Sequence, residues 1–168
     1  MSRASVQATA ALVLVVDDFE DNRAMYAEYL RFAGYRVIEA GDGREAVERA
    51  RESLPDIVVM DLSLPVMDGW EATRQLKADV RTRAIPVIAL TGHALEGHSQ
   101  GAKAAGCDEF LAKPCLPKAL LEKVESMLSS RAPAPPEGPK PKESKRWRAS
   151  VERPVESGAA KAKRSRRG

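Results

Sequence analysis

Cysteine and histidine are scarce in this chain, and that scarcity excludes several classes of site. The 168 residues contain two cysteines and two histidines. Two cysteines, Cys107 and Cys115, are too few for a disulfide framework, and neither has histidine or cysteine neighbours at the spacing of zinc ligands. We interpret both cysteines as small side chains that are buried or half-buried.

Long apolar runs are also missing. No stretch approaches the ~20 consecutive apolar residues of a membrane-spanning helix. The apolar segment that ends at Val16 is short and runs into two aspartates, so we interpret it as a strand and not as the core of a signal peptide. We therefore expect a cytoplasmic protein without a membrane span.

The charge is divided unevenly along the chain. The net charge is +3, but residues 131–168 hold 12 basic and 4 acidic side chains and the preceding residues are acidic. The segment 131–168 is rich in proline and poor in apolar residues, and it cannot offset the entropy lost on ordering. We expect a flexible N-terminus over 1–10, one globular domain over 11–130 and a disordered basic tail over 131–168.

Four short apolar runs in the expected domain end on polar residues. Their length and their β-branched residues indicate buried parallel strands separated by helices. The runs end at Asp17 and Asp18, at Asp61, at Thr91 and at Lys113. Five repeated strand–helix units predict an α/β fold, a doubly wound parallel sheet with the flavodoxin-like order 2-1-3-4-5.

These polar residues meet at one edge of the predicted sheet, because ligands bind at the carboxyl ends of parallel strands. Converging carboxylates without histidine or cysteine favour Mg²⁺ over zinc. Asp61 ends the central strand and is the best candidate for a nucleophile that attacks phosphorus. Lys113 offers a compact positive charge to a phosphoryl oxygen, and Thr91 offers a hydrogen bond.

The same residues form a series of motifs with a recognisable order and spacing. The motifs are Asp17-Asp18, Asp61, Leu64-Pro65, Met67-Asp68-Gly69, Thr91 and Lys113-Pro114. Through them, the chain from about Leu12 to Leu128 resembles the receiver domain of bacterial two-component response regulators. It is most similar to the single-domain type found among chemotaxis and cell-cycle regulators.

The resemblance implies a phosphorelay switch. A phosphohistidine of a sensor histidine kinase or a histidine phosphotransfer protein would supply the phosphoryl group, and Asp61 would accept it. Asp18, Asp61 and the backbone carbonyl of Ser63 would bind Mg²⁺ directly, with Asp17 acting through water. Such a protein promotes its own phosphorylation and turns over no independent substrate, so we do not expect an enzyme.

The resemblance also implies a conformational response that a downstream protein, not identified by the sequence, would detect. Thr91 would move toward the phosphoryl group, and Phe110, where the family often has tyrosine, would swing inward. The Lys113–Pro114 bond would be cis. The helix predicted from about Ala94 to Ala105 contains two glycines, and we expect it to be the most labile element.

Three alternatives remain open at this stage. Asp17 and Asp18 taken alone could form a turn that caps the next helix. A phosphohydrolase could use Asp61 as nucleophile, although Ser63 stands where such enzymes usually have a second acid. Finally, the basic clusters 145–148 and 161–167 could bind nucleic acid or another polyanion.

Overall fold

The computed structural model describes residues 10–92 and 104–131, and strands and helices alternate from residue 12 to residue 91. The strands in it are β1 (Leu12–Val16), β2 (Arg36–Ala40), β3 (Ile57–Asp61), β4 (Val87–Thr91) and β5 (Glu109–Ala112). The helices are α1 (Glu20–Phe32), α2 (Gly43–Ser53), α3 (Gly69–Ala78) and α4 (Pro117–Arg131).

The five strands form one parallel sheet in the order β2-β1-β3-β4-β5, which confirms the predicted fold class and strand order. Val16 of β1 pairs with Met60 of β3. The residues that follow this pair along the chain, Asp17 and Asp61, are therefore brought to the same edge of the sheet. The switch point between β1 and β3 is where an open α/β sheet binds its ligands.

The two central strands, β1 and β3, are buried over all five of their residues because helices cover both faces of the sheet. Successive side chains of a strand point to opposite faces. In β1, Leu14 and Val16 pack with residues of α2 and α3, whereas Val13 and Val15 pack with residues of α1 and α4. Strands buried on both faces need continuous apolar runs, which explains the sequence pattern.

Specific hydrogen bonds mark the ends of two elements. β2 starts at Arg36, because the N–H of the preceding residue, Tyr35, closes the end of α1 by donating to the Leu30 carbonyl at 3.1 Å. At the end of α4, the Arg131 guanidinium donates to the backbone carbonyl of Asp56 at 3.1 Å.

Several predictions fall outside the described residues. The helix predicted from about Ala94 to Ala105 does so except for its last two residues, Ala104 and Ala105, which are helical. Its expected lability, the terminus 1–9 and the basic segment beyond Arg131 likewise stay predictions. Within the described ranges, no helix is long and apolar enough to cross a bilayer.

Candidate functional site

Three aspartates meet where β1 and β3 end. Carboxylate oxygens of Asp17, Asp18 and Asp61 all lie within 4.8 Å of one another. Asp17 and Asp61 are buried, with 1% and 4% of their surface exposed, whereas Asp18 is exposed. The parallel register of β1 and β3 thus places two carboxylates inside the domain and a third at its surface.

Lys113 joins the two buried aspartates. Its Nζ donates to Asp17 Oδ2 at 2.9 Å and to Asp61 Oδ2 at 2.7 Å. Burial lowers the pKa of Lys113, but the hydrogen bonds that its ammonium donates to Asp61 and Asp17, together with their negative charges, outweigh that effect and hold the pKa above its usual value. One ammonium facing three carboxylates leaves an excess of negative charge that suits a divalent cation.

The remaining oxygens of the two buried carboxylates accept hydrogen bonds from the loops that follow their strands. Asp61 Oδ1 accepts the N–H of Ser63 at 2.9 Å, and Asp17 Oδ1 accepts the N–H of Phe19 at 2.9 Å. Each carboxylate is therefore held at both oxygens, one by a loop amide and one by Lys113. This arrangement fixes the orientation of Asp61.

The hypothesis that these aspartates cap the next helix is only half correct. The N-terminal cap residue of α1 is Phe19, and no side chain caps this end. Asp17 does form the local turn with Phe19. Its second oxygen is committed to Lys113, so the turn and the acidic cluster use the same carboxylate.

Thr91 and Phe110 lie on the two strands beyond β3. Thr91 ends β4, and its carbonyl accepts the backbone N–H of Lys113 at 2.7 Å. Phe110 is 38% exposed, so its ring lies partly at the surface of the domain in this structure. The Lys113–Pro114 bond is cis, as the resemblance implied, and the cysteines are buried (Cys107) or half-buried (Cys115), as expected.

The loop after β3 packs unusually close to the strand. A Cβ at Gly69 would overlap the Asp61 carbonyl oxygen and lie 2.8 Å from Leu62 Cα. Gly69 also donates its N–H to the Leu62 carbonyl at 3.2 Å. Glycine is needed at this contact because any other residue would place a Cβ against the backbone of the strand.

Two residues of α1 support the site and were not identified as site residues from the sequence. Arg23 Nη1 donates to the Asp17 carbonyl at 2.9 Å, and its Nε contacts Glu39 at 3.3 Å. The Tyr26 hydroxyl donates to the Cys115 carbonyl at 2.9 Å. The available signal was a tyrosine on an apolar helix face, since a buried phenol needs a hydrogen-bond partner.

Comparison with known families decides the assignment. The family model described as "Response regulator receiver domain" matches residues 13–125, about two thirds of the chain. The chain belongs to the response regulator receiver family. Receiver domains bind Mg²⁺ at an acidic site and act in two-component phosphorelay signalling with histidine kinases or phosphotransfer proteins.

Individual relatives agree with this assignment. The polar-differentiation response regulator DivK of Brucella anthropi is 36% identical over 116 residues, which cover 69% of this chain and 94% of DivK. The structure of the chemotaxis regulator CheY4 of Vibrio cholerae has 35% identity and a TM-score of 0.68, and the match covers 70% of this chain and 98% of CheY4.

A third relative bears on the acidic cluster. The receiver domain of the sensor histidine kinase PA1611 of Pseudomonas aeruginosa has 36% identity and a TM-score of 0.67, and the match covers 71% of this chain and 98% of that domain. That structure has a magnesium ion coordinated in the active-site cleft. The clustered carboxylates of this receiver offer the hard oxygen ligands that Mg²⁺ prefers, so the donor set fits this ion.

Proposed function

We propose that this receiver accepts a phosphoryl group on Asp61 from a phosphohistidine of a sensor histidine kinase or a histidine phosphotransfer protein. The observation that carries the proposal is the position of Asp61. It ends the buried strand β3, lies within an acidic cluster and contacts the ammonium of Lys113 at 2.7 Å. Carboxylates are established phosphoryl acceptors, and a nearby fixed positive charge stabilises the charge that develops during transfer.

The transfer exchanges one bond for another. An oxygen of the Asp61 carboxylate forms a bond to phosphorus while the phosphorus–nitrogen bond of the donor breaks. The imidazole nitrogen leaves with the electron pair, and a proton on the other ring nitrogen makes the departing ring a neutral imidazole. Lys113 then contacts a phosphoryl oxygen, and the Thr91 hydroxyl donates a hydrogen bond to another.

We assign the metal ligands as the resemblance implied. Asp18, Asp61 and the backbone carbonyl of Ser63 would hold Mg²⁺ directly, and Asp17 would hold it through water. When bound, the ion supplies positive charge that reduces repulsion between the Asp61 carboxylate and the phosphoryl oxygens. The spacing of the carboxylate oxygens and the exposure of Asp18 to solvent support this assignment.

The output of the switch is a change in partner binding. Thr91 and Phe110 are the proposed switch residues, on the neighbouring strands β4 and β5. Because Phe110 is 38% exposed, an inward movement of its ring would change the surface that a partner protein contacts. The receiver acts as a phosphoryl acceptor and not as an enzyme with its own substrate, and its cytoplasmic location stays a prediction.

The test uses acetyl phosphate as a small phosphodonor, with Mg²⁺ and with intact-protein mass as the measurement. The wild type should gain one phosphoryl group, and Asp61→Asn should gain none. Asp21→Asn makes the same chemical change at an exposed position of α1 and should label like the wild type. Chelation of Mg²⁺ by EDTA should suppress labelling.

Two outcomes would contradict the proposal. Labelling of Asp61→Asn at the wild-type rate would place the acceptor elsewhere. Repeated hydrolysis of a phosphomonoester by the Mg²⁺-loaded wild type would instead support the phosphohydrolase alternative. Binding of nucleic acid by residues 131–168 is a separate prediction, and steep salt dependence would be its signature.

A further inference from the structure

The buried tyrosine of α1 makes a hydrogen bond that packing alone does not require. Tyr26 is 3% exposed, and its ring packs in the apolar cluster between α1, α4 and the sheet. Its hydroxyl donates to the backbone carbonyl of Cys115 at 2.9 Å, across 89 residues of sequence. A phenylalanine would fill the same space, so the hydroxyl contributes only this bond.

The acceptor of that bond lies in the loop that carries the site lysine. Cys115 is two residues after Lys113, in the loop between β5 and α4. On the other side of this loop, the backbone N–H of Lys113 donates to the Thr91 carbonyl at 2.7 Å. The loop is therefore attached to β4 through one backbone bond and to α1 through Tyr26.

Free space beside the loop gives the Tyr26 bond a role. A cavity of about 420 Å³ lies between α1 and the loop and is lined by Asn22, Met25, Tyr26, Lys113, Pro114 and Cys115. Close packing would hold a loop without specific bonds, whereas a loop beside a cavity can shift when a bond is lost. Tyr26 is the residue in that wall whose hydroxyl bonds the loop backbone.

The donor is retained at neutral pH. Burial raises the pKa of Tyr26 above its usual value. The phenol therefore keeps its proton at neutral pH. A protonated hydroxyl donates to the carbonyl, whereas a phenolate would repel it.

We propose that Tyr26 is a positioning residue for phosphoryl transfer: through the Cys115 carbonyl it holds Lys113 where its ammonium contacts Asp61. The inference rests on the proposed acceptor role of Asp61. It adds a residue of α1 that touches neither the phosphoryl group nor the cation. Loss of its hydroxyl should change the reaction through Lys113 and not through the carboxylates.

The test is a double-mutant cycle on the rate of labelling by acetyl phosphate, with the full chain. Tyr26→Phe should label roughly three- to tenfold more slowly than the wild type, the factor expected from one ordinary hydrogen bond. Tyr29→Phe removes a hydroxyl from the same helix at a 37% exposed position and should label normally. In a Lys113→Ala background, Tyr26→Phe should cause no further loss, because its effect passes through the lysine.

Rescue separates positioning from general stability. Replacement of Tyr26 by p-aminophenylalanine keeps a donor at the ring tip and should restore most of the rate. Equal rates for Tyr26→Phe and Tyr29→Phe would overturn the inference, and so would an undiminished effect of Tyr26→Phe in the Lys113→Ala background. If the wild type is not labelled at all, the acceptor role of Asp61 is overturned. If the wild type is labelled and Tyr26→Phe is labelled at the same rate, only the role of Tyr26 is overturned.

Discussion

Replacement of Gly69 by alanine measures how closely the loop after β3 packs against the strand that carries Asp61. The added Cβ would overlap the Asp61 carbonyl oxygen and would lie 2.8 Å from Leu62 Cα and 2.9 Å from the Asp61 carbonyl carbon. All three are backbone atoms, so no side chain can rotate away. The loop or the end of β3 has to move.

The cost of that movement follows from what holds β3 in place. Asp61 pairs with Leu90 of β4, and the Leu62 N–H donates to the Leu90 carbonyl at 3.0 Å. A carbon 2.8 Å from another carbon is about 0.6 Å closer than ordinary contact, and overpacking of this kind costs about 1–3 kcal/mol. The same movement would break the hydrogen bond that the N–H of residue 69 donates to the Leu62 carbonyl, which adds about 1 kcal/mol. We expect Gly69→Ala to lower the free energy of unfolding by about 3 kcal/mol.

Urea unfolding followed by far-UV circular dichroism would measure this change, with equal m-values as the condition for comparison. Two other glycines provide matched controls. A Cβ at Gly92 meets nothing within 4 Å, so Gly92→Ala should change stability by less than about 0.5 kcal/mol. Gly34 also has open space but a φ of +98°, so Gly34→Ala should cost about 1–2 kcal/mol through backbone strain alone.

The critical result is the order of the three variants. Gly69→Ala should lower the free energy of unfolding most, Gly34→Ala less and Gly92→Ala least. If the free energies of unfolding of Gly69→Ala and Gly92→Ala differ by less than about 1 kcal/mol, the loop relaxes without strain and the close approach does not contribute to stability. The steric conflict also involves the carbonyl of Asp61, the proposed acceptor. Phosphorylation of Asp61 should therefore slow even among Gly69→Ala molecules that remain folded.

Three further predictions follow from local contacts. Burial raises the pKa of Cys107 and leaves its thiol inaccessible, so Ellman's reagent should titrate Cys115 in the native protein and Cys107 only after unfolding, with Cys115→Ser as the control. The Arg81 side chain lowers the pKa of Asp79 from 3.8 to about 2, so this pair stabilises the fold above about pH 4 and the stabilisation is lost as pH falls toward about 2. Carbon-13 NMR titration of the Asp79 carboxyl should show that midpoint, and a midpoint near 3.8 would contradict it. Asp42 accepts a backbone N–H at the start of α2 at 2.8 Å, so Asp42→Ala should lower the free energy of unfolding by about 1 kcal/mol in urea, whereas no change would mean that water replaces the cap.

The sheet could be predicted from the sequence because its central strands are buried on both faces. Continuous apolar runs such as Ile57-Val58-Val59-Met60 are typical of a buried parallel strand, and the helices between them act as right-handed crossovers that leave few possible strand orders. The polar residue at the end of each run then indicates which edge carries the site. For this reason the sequence predicted that Asp17, Asp61 and Lys113 lie together, and their contacts in the structure agree.

Contacts between distant segments could not be predicted in the same way. Tyr26 lies on the buried face of α1, but helical periodicity carries no information on which carbonyl lies 2.9 Å from the hydroxyl. The close approach of Gly69 to β3 depends on the path of a loop, which propensity does not determine. The exposure of Phe110 depends on what covers the edge strand β5, and a pattern within one strand does not contain that information.

The lysine that joins the acidic cluster also determines when this site is completed during folding. Lys113 binds carboxylates 96 and 52 residues earlier in the chain, so both ion pairs are among the long-range contacts of the domain. Such contacts form only after the intervening loop entropy has been lost. During synthesis, Asp17 and Asp61 leave the ribosome well before their counter-ion does. A growing chain therefore contains these two carboxylates without their ammonium partner until β5 has joined the sheet, so the proposed acceptance of a phosphoryl group requires the finished domain.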